Sequence, residues 1–356
     1  MKPLTVSIDA MGGDAGPGVV VTALARSAVR HPGVNFILHG DEATLQPLFD
    51  RRLSKLKERV QIRHAPERVR MEEKPSAALR RGRNTSMWRA IESVAKNEAE
   101  VAISAGNTGA LMAMSMFQLR TIEGIDRPAI AGLWPTKRGQ SVLLDAGANI
   151  EADAEQLVGF AVMGEAFARA ILGLERPTVG LLNVGSEDMK GHQEVRGAAQ
   201  ILRSCSLPIE FCGFIEGDDI AEGTVDVVVT DGFTGNIALK TAEGTAKLLV
   251  HFLRTALRRS FFGRIGGLLA SSALKTLRSK LDPRTSNGGV FLGLNGVVVK
   301  SHGGADAMGF ASALDMAVDM ARAEVIPKIK ADHATVAAML ANRTAPLAAN
   351  TGAAAT

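Results

Sequence analysis

Val225-Asp226-Val227-Val228-Val229-Thr230-Asp231-Gly232-Phe233-Thr234-Gly235-Asn236 is the stretch that decides the fold. One acid in the first five residues marks a strand covered on both faces, as strands of parallel sheets are. A polar, glycine-containing bend follows at once, and from Asn236 to Phe262 the apolar residues recur at helical spacing. Strand, polar bend and helix form the repeating unit of an α/β chain.

The same unit recurs on either side. Strands are expected at Leu4–Asp9, Asn35–His39, Val60–Arg63, Val101–Ser104, Ala129–Leu133, Ser141–Asp145, Thr178–Asn183, Ile209–Cys212 and Val297–Ser301. Helices are expected at Pro17–Arg30, Thr85–Asn97, Thr108–Arg120, Asp153–Leu172, His192–Ser204 and Ala305–Ile329. Breaks fall near Arg120–Pro128, at Gly223-Thr224 and at Asn287-Gly288-Gly289. The fold class expected is α/β, a three-layer α/β/α with a mostly parallel sheet. Residues 1–330 read as one domain and 331–356 as a tail: Ala331–Asn342 has room for a short helix, and Ala345–Thr356 is low-complexity and expected to be disordered.

Composition narrows the function classes. The chain has 356 residues, 46% hydrophobic and 22% charged, with a formal net charge of +4. It has no Tyr and only 4% aromatic residues, so a base-stacking nucleic-acid surface has little to be built from. No apolar run approaches the roughly 20 residues of a membrane span, and Asp9 interrupts any signal-peptide core. Cys205 and Cys212 match neither a CxxC pair nor a zinc set. A reduced cytoplasmic setting is the expectation.

Five strand-end loops share one chemistry, Gly mixed with Asn, Asp, Ser or Thr: Asp9–Asp14, Ser104–Gly109, Asp145–Asn149, Asn183–Glu187 and Thr230–Asn236. On a parallel sheet they are expected to gather along one edge, where glycine amides and helix N-termini suit an anion. Tight turns alone also account for any single loop. Gly106, Asn107, Thr108, Asn149, Asn183, Gly185, Asp231, Gly232, Thr234 and Gly235 are the substrate-binding candidates here. Lys190, just past a strand-end loop, fits either a phosphate ligand or a solvated surface lysine. His302 fits a base, an anion donor or a structural hydrogen bond. Asp9, Asp14, Asp145 and Asp231 form no tight cluster and read as loop caps rather than Mg²⁺ ligands. No GxGxxG, GxxxxGK[ST] or Gly-x-Ser-x-Gly occurs, and no metal or cofactor is expected. Such loops suit a reaction in which a substrate oxyanion is itself the nucleophile.

Between Glu243 and Asp282 there is no acid, while basic residues and Leu249, Phe252, Leu253, Leu257, Phe261, Phe262, Ile265, Leu268 and Leu269 alternate around a Gly266-Gly267 break. A basic amphipathic helical hairpin over about 247–281 is expected. It serves either as a core element with a solvated face or as a surface for anionic lipid, an acidic carrier protein or a partner subunit.

The motifs DAMGGD (Asp9–Asp14), SAGNTGA (Ser104–Ala110), LDAGAN (Leu144–Asn149), NVGSEDMKG (Asn183–Gly191), TDGFTGN (Thr230–Asn236) and VVKSHGGAD (Val298–Asp306) resemble, in order, those of the bacterial phosphate acyltransferase family of phospholipid synthesis. The resemblance implies a homodimeric cytoplasmic enzyme, with a fold similar to phosphotransacetylases and isopropylmalate dehydrogenases. It would move a fatty acyl group from acyl carrier protein to inorganic phosphate. By motif, Lys190 and Asn236 become the catalytic candidates; in such a reaction His302 is expected either to bind phosphate or to tune its protonation. The same resemblance implies peripheral membrane association through the hairpin, with Arg258, Arg259, Phe261, Phe262, Leu268 and Leu269 meeting lipid or carrier. A phosphotransacetylase acting on acyl-coenzyme A, a nicotinamide-dependent decarboxylating dehydrogenase and a non-catalytic membrane-associated scaffold are the competing readings.

Overall fold

A computed structural model of the chain describes residues 3–204, 209–274 and 287–344. Among these, eleven strands form one sheet. They are β1 (Thr5–Asp9), β2 (Asn35–Gly40), β3 (Val60–His64), β4 (Val101–Ser104), β5 (Ala129–Thr136), β6 (Gly139–Leu144), β7 (Thr178–Leu182), β8 (Glu210–Ile215), β9 (Val227–Val229), β10 (Gly289–Leu292) and β11 (Val297–Lys300). Their order is β3-β2-β1-β4-β11-β10-β5-β6-β9-β7-β8.

The sheet is mostly parallel, and its exceptions are consequential. β3, β2, β1, β4 and β11 are parallel neighbours, as are β6, β9, β7 and β8. The pairings β11–β10, β10–β5 and β5–β6 are antiparallel. Three reversals leave the two parallel halves pointing in opposite directions. The expectation that the glycine loops gather along one edge is thereby corrected. The loops after β1, β4 and β11 lie at one end of the sheet, and those after β6, β7 and β9 lie at the other. β10 is the strand that sequence reading missed, because Asn287-Gly288-Gly289 looks like a break and yet Gly289 opens it.

Side-chain alternation assigns the layers. Val101 and Ile103 of β4, Val290 and Leu292 of β10, Val142 and Leu144 of β6, and Val227 and Val229 of β9 enter one large cluster. Helices Pro17–Arg30, Ala154–Leu172, Gln193–Ser204 and Ala307–Arg322 cover it. The intervening residues Ala102, Ile130, Phe291 and Val298 face the opposite layer, under helices Ser86–Ala95 and Thr108–Leu119. In the second half Leu143 and Val228 join a separate small cluster with Leu182, Ile215 and Ile220. One face of the sheet is therefore a continuous core. The other is two patches, and Ala146 is packed against both.

Several boundaries move. Helices Glu42–Arg52 and Pro75–Arg81 were not expected; the first holds Pro47 inside it and buries only Leu45, so its periodicity is faint. The helix expected to start at Asn236 starts at Gly232, because Asp231 caps it by accepting from the amide of Thr234 at 2.8 Å. Its bend falls at Ser260 rather than at Gly266-Gly267: Ser260 is extended and its Oγ accepts from Gly263 N at 2.9 Å, starting helix Phe261–Leu269. Residues 275–281 of the expected hairpin, and Cys205, lie outside the described residues.

The boundary drawn at 330 cuts a helix. The expected Ala305–Ile329 helix ends at Arg322, and a second runs Val325–Thr344. Residues 345–356 of the expected tail lie outside the described residues. The last helix is tied down by Arg169, whose guanidinium meets Glu165 at 2.8 Å and also meets Asp332. His333 is buried against Gly124. Ending the chain at Lys330 removes both anchors, so it should destabilise the fold by about 1–3 kcal/mol, since a part-buried guanidinium loses a partner. Denaturant unfolding of full-length and shortened chains measures this, and equal midpoints refute it.

Candidate functional site

At the first end of the sheet, Asp9 closes β1 and is fully buried. Its carboxylate accepts from Ser86 Oγ and Ser104 Oγ, both at 2.6 Å, and from Met11 N at 3.2 Å. Burial raises the carboxyl above the usual range, and the two hydroxyls pull it back. Gly106 donates its amide to Ser104 Oγ at 2.9 Å. Asn107 caps the helix that Thr108 opens, accepting from Ala110 N at 2.9 Å, while its amide group donates to the carbonyls of Met71 and Glu73. Gly106 and Asn107 thus spend their polar groups inside the protein. Sequence reasoning placed them on substrate; the geometry uses them to brace the loop.

Beside this loop stand two bases. Lys300 ends β11, and burial pushes its amine down to about 8 despite Asp14 and Asp9 nearby. Its Nζ donates to the carbonyl of Ser301. His302 is held by Asn287 Oδ1, which accepts from its amide at 3.0 Å, and its Nδ1 accepts from Gly304 N at 3.1 Å. Burial, then the neighbouring Lys240, lowers the His302 pKa. Lys240 is the site residue that sequence reading passed over. It lies one helical turn beyond Asn236 on helix Gly232–Arg259, and its Nζ is 3.3 Å from His302 Nε2. The i, i+4 spacing from Asn236 was the available signal.

At the other end, the loop after β6 closes around Asp145. This buried carboxylate accepts from the amides of Ile130, Gly147, Ala148 and Asn149 and from Asn149 Nδ2, all between 2.7 and 3.0 Å. Burial raises its pKa and the amides oppose the rise. Asn149 is buried too, its Nδ2 also donating to the carbonyl of Pro128 at 2.9 Å, so it too supports the loop.

Helix Gly232–Arg259 docks its first turn on that loop. Gly232 N donates to the Asn149 carbonyl at 2.7 Å and Gly235 N to the Asp231 carbonyl at 2.9 Å. Neither amide is left for an anion, contrary to the sequence expectation. A Cβ on Gly235 would run into the Asp145 carbonyl oxygen, and one on Gly232 into that of Asn149. These glycines admit the close approach of helix to loop. Asp231 and Thr234 are occupied as the cap, Thr234 Oγ1 donating to Asp231 at 2.8 Å. Asn236 stays exposed, its side chain over Gly147.

β7 lies beside β9 in parallel, Leu181 opposite Val229, so the loop carrying Lys190 leaves the same sheet end as the Asn236 turn. Asn183 Nδ2 donates to the carbonyls of Gly185 and Lys190, both at 3.1 Å. Asn183 and Gly185 thereby shape the loop that presents Lys190. The amine of Lys190 faces Glu187 at 3.5 Å, and the lysine side chain is 52% exposed. Ile150, Val184, Met189, Phe233 and Ile237 are exposed next to these polar residues. An exposed cation, an exposed amide and an apolar rim suit an anion that meets an apolar partner. Among the described residues no group of three His, Cys, Asp or Glu could hold a metal ion. Gly235→Ala should lower unfolding stability by about 1–3 kcal/mol through overpacking, read as a shift in denaturant midpoint; no shift would mean that the helix does not need this approach.

The family model described as fatty acid synthesis protein matches residues 4–328. A phosphate acyltransferase from Parvibaculum lavamentivorans is 57% identical over 332 residues, 93% of this chain and 92% of that protein. One from Agrobacterium fabrum is 55% identical over 331 residues, 92% of this chain and 94% of that protein. A solved phosphotransacetylase from Streptococcus pyogenes superposes with a TM-score of 0.60 at 18% identity, covering 90% of this chain and 94% of that one. At that identity the likeness concerns the fold, which it shares.

Proposed function

The chain belongs to the fatty acid synthesis protein family, and from that premise we propose that it transfers a fatty acyl group from the thioester of an acyl carrier protein to inorganic phosphate. Its relatives' shared name, phosphate acyltransferase, spans 92–93% of the chain and supports the acceptor and the reaction class. The observation that carries the mechanism is the chemistry of the exposed groups at the Asn236 end: an amine, an amide and an apolar rim, beside a loop held by the inward carboxylate of Asp145.

Phosphate at neutral pH is already anionic, so it needs position more than activation. Lys190 holds the dianion beside the loop shaped by Asn183 and Gly185. A phosphate oxygen attacks the thioester carbon, and the Asn236 amide donates to the carbonyl oxygen as it becomes an oxyanion. The carbon–sulfur bond then breaks, the thiolate takes the proton that phosphate gives up, and acyl-phosphate and thiol leave. Holding both substrates together supplies a large part of the rate.

The same reading includes a second copy of the chain and a membrane surface as partners. Helix Gly232–Arg259 buries only Gly232 and Gly235, and its outer face is free among the described residues. Phe261, Phe262, Leu268 and Leu269 are exposed beside Arg258 and Arg259. A cleft of about 340 Å³, lined by Leu253, Leu257, Arg254 and Arg264, separates the two hairpin helices. Apolar and cationic residues together suit an anionic interface. Among the described residues no helix is long and apolar enough to cross a membrane.

Lys190→Ala should cut acyl-phosphate formation by about a hundredfold or more with folding intact, measured with radiolabelled phosphate and both acyl-carrier-protein and acyl-coenzyme A thioesters. Near-normal turnover removes Lys190 from the mechanism, and preference for the coenzyme A thioester transfers the donor role. Replacing Phe261 and Phe262 with Asp should abolish flotation with anionic vesicles; undiminished flotation refutes lipid contact by this tip.

A further inference from the structure

We propose that Lys240 and His302 form an anion-binding pair, assembled between the helix that starts at one end of the sheet and the loop that closes the other, and that its ligand is a phosphate group. The inference deepens the function proposed above and rests on it for the identity of the anion.

Hydrogen-bond accounting carries the proposal. Nδ1 of His302 accepts the amide proton of Gly304 at 3.1 Å. A neutral ring then carries its own proton on Nε2. That nitrogen faces the Lys240 ammonium at 3.3 Å, and an ammonium has donors only. Two donors point at one another. Glu243 Oε2 engages Lys240 at 2.9 Å, but among the described residues Nε2 has no acceptor. An oxyanion between them would accept from both at once, turning a repulsive contact into two charge-assisted bonds.

The surroundings favour such a ligand. Lys300 lies on the strand feeding His302, and its charge and that of Lys247 act on the imidazole together with Lys240. Glu243 is the opposing charge beside the imidazole, and Asp14 and Asp9 act on Lys300. Lys240 and His302 are solvent-facing, so a ligand can reach them. Asn236 and Lys240 share a helix face, about 6 Å apart at their Cβ atoms. The pair therefore stands one turn from the amide assigned to the thioester oxygen, and at the sheet end opposite the Lys190 loop. Two molecules in the reaction carry the required chemistry: inorganic phosphate, and the phosphodiester of the donor's phosphopantetheine arm.

The test is equilibrium binding on the full chain, without turnover. The ¹⁵N resonance of His302 Nε2, assigned by loss in His302→Gln, is followed on adding inorganic phosphate and, separately, 4′-phosphopantetheine. Saturating movement with inorganic phosphate identifies a phosphate site additional to the one at Lys190; movement with 4′-phosphopantetheine alone identifies the donor's arm. In either case Lys240→Met should weaken binding about ten- to a hundredfold, and Lys240→Arg should recover most of it. Circular dichroism confirms that each variant is folded. An Nε2 signal that neither probe moves, or affinity unchanged in Lys240→Met, overturns the proposal. Acyl-phosphate formation by the wild type is scored separately: turnover with a silent Nε2 defeats this pair alone, and a responsive Nε2 without turnover defeats the proposed function alone.

Discussion

Strand direction is the constraint on which everything else depends. β10 inserts an antiparallel strand between β11 and β5, and with β5–β6 also antiparallel the second parallel half points against the first. Ligand-binding loops follow the carboxyl ends of parallel strands, so this chain has two such loop sets, at opposite ends of one sheet. A single edge carrying five equivalent loops is topologically impossible here. What joins the sets is helix Gly232–Arg259, which begins at one end and brings Lys240 to His302 at the other.

Each loop set is organised by one buried carboxylate. Asp9 collects two serine hydroxyls and an amide; Asp145 collects four amides and a side-chain amide. Burying a carboxylate is tolerable only with such donors, and the donors in turn fix the loop backbone. The polar residues that look catalytic in sequence divide accordingly. Asn107, Asn149 and Asn183 hold backbone, while Lys190, Asn236, Lys240 and His302 turn outward. Bracing with buried side chains and binding with exposed ones is how a rigid scaffold presents a precise surface.

Much of this was legible in the residues. Nearly every strand other than β10 lies within a few positions of its expected place, because β-branched runs bounded by glycine and polar residues have few other solutions. The glycine loops were located correctly, and Lys190 and Asn236 are found exposed at one sheet end. Their neighbours misled because a glycine admitting an anion and a glycine admitting a backbone look the same in sequence. Gly235 is of the second kind, lying against the Asp145 carbonyl. Lys240 escaped notice because its one local cue, a place four residues beyond Asn236, is faint; its partner His302 lies sixty-two positions away.

Taken alone, the sequence determined the α/β class, the alternation of elements and the loop chemistry, since hydrophobic period and turn residues act over a few positions. It also determined the family through motifs kept in order along the chain. Tertiary structure alone decided which loops meet. That outcome hangs on the pairing of β10, four residues long, with partners more than a hundred positions away on one side and a few positions away on the other. Strand order and direction arise from long-range hydrogen bonds and side-chain burial, which no local pattern encodes.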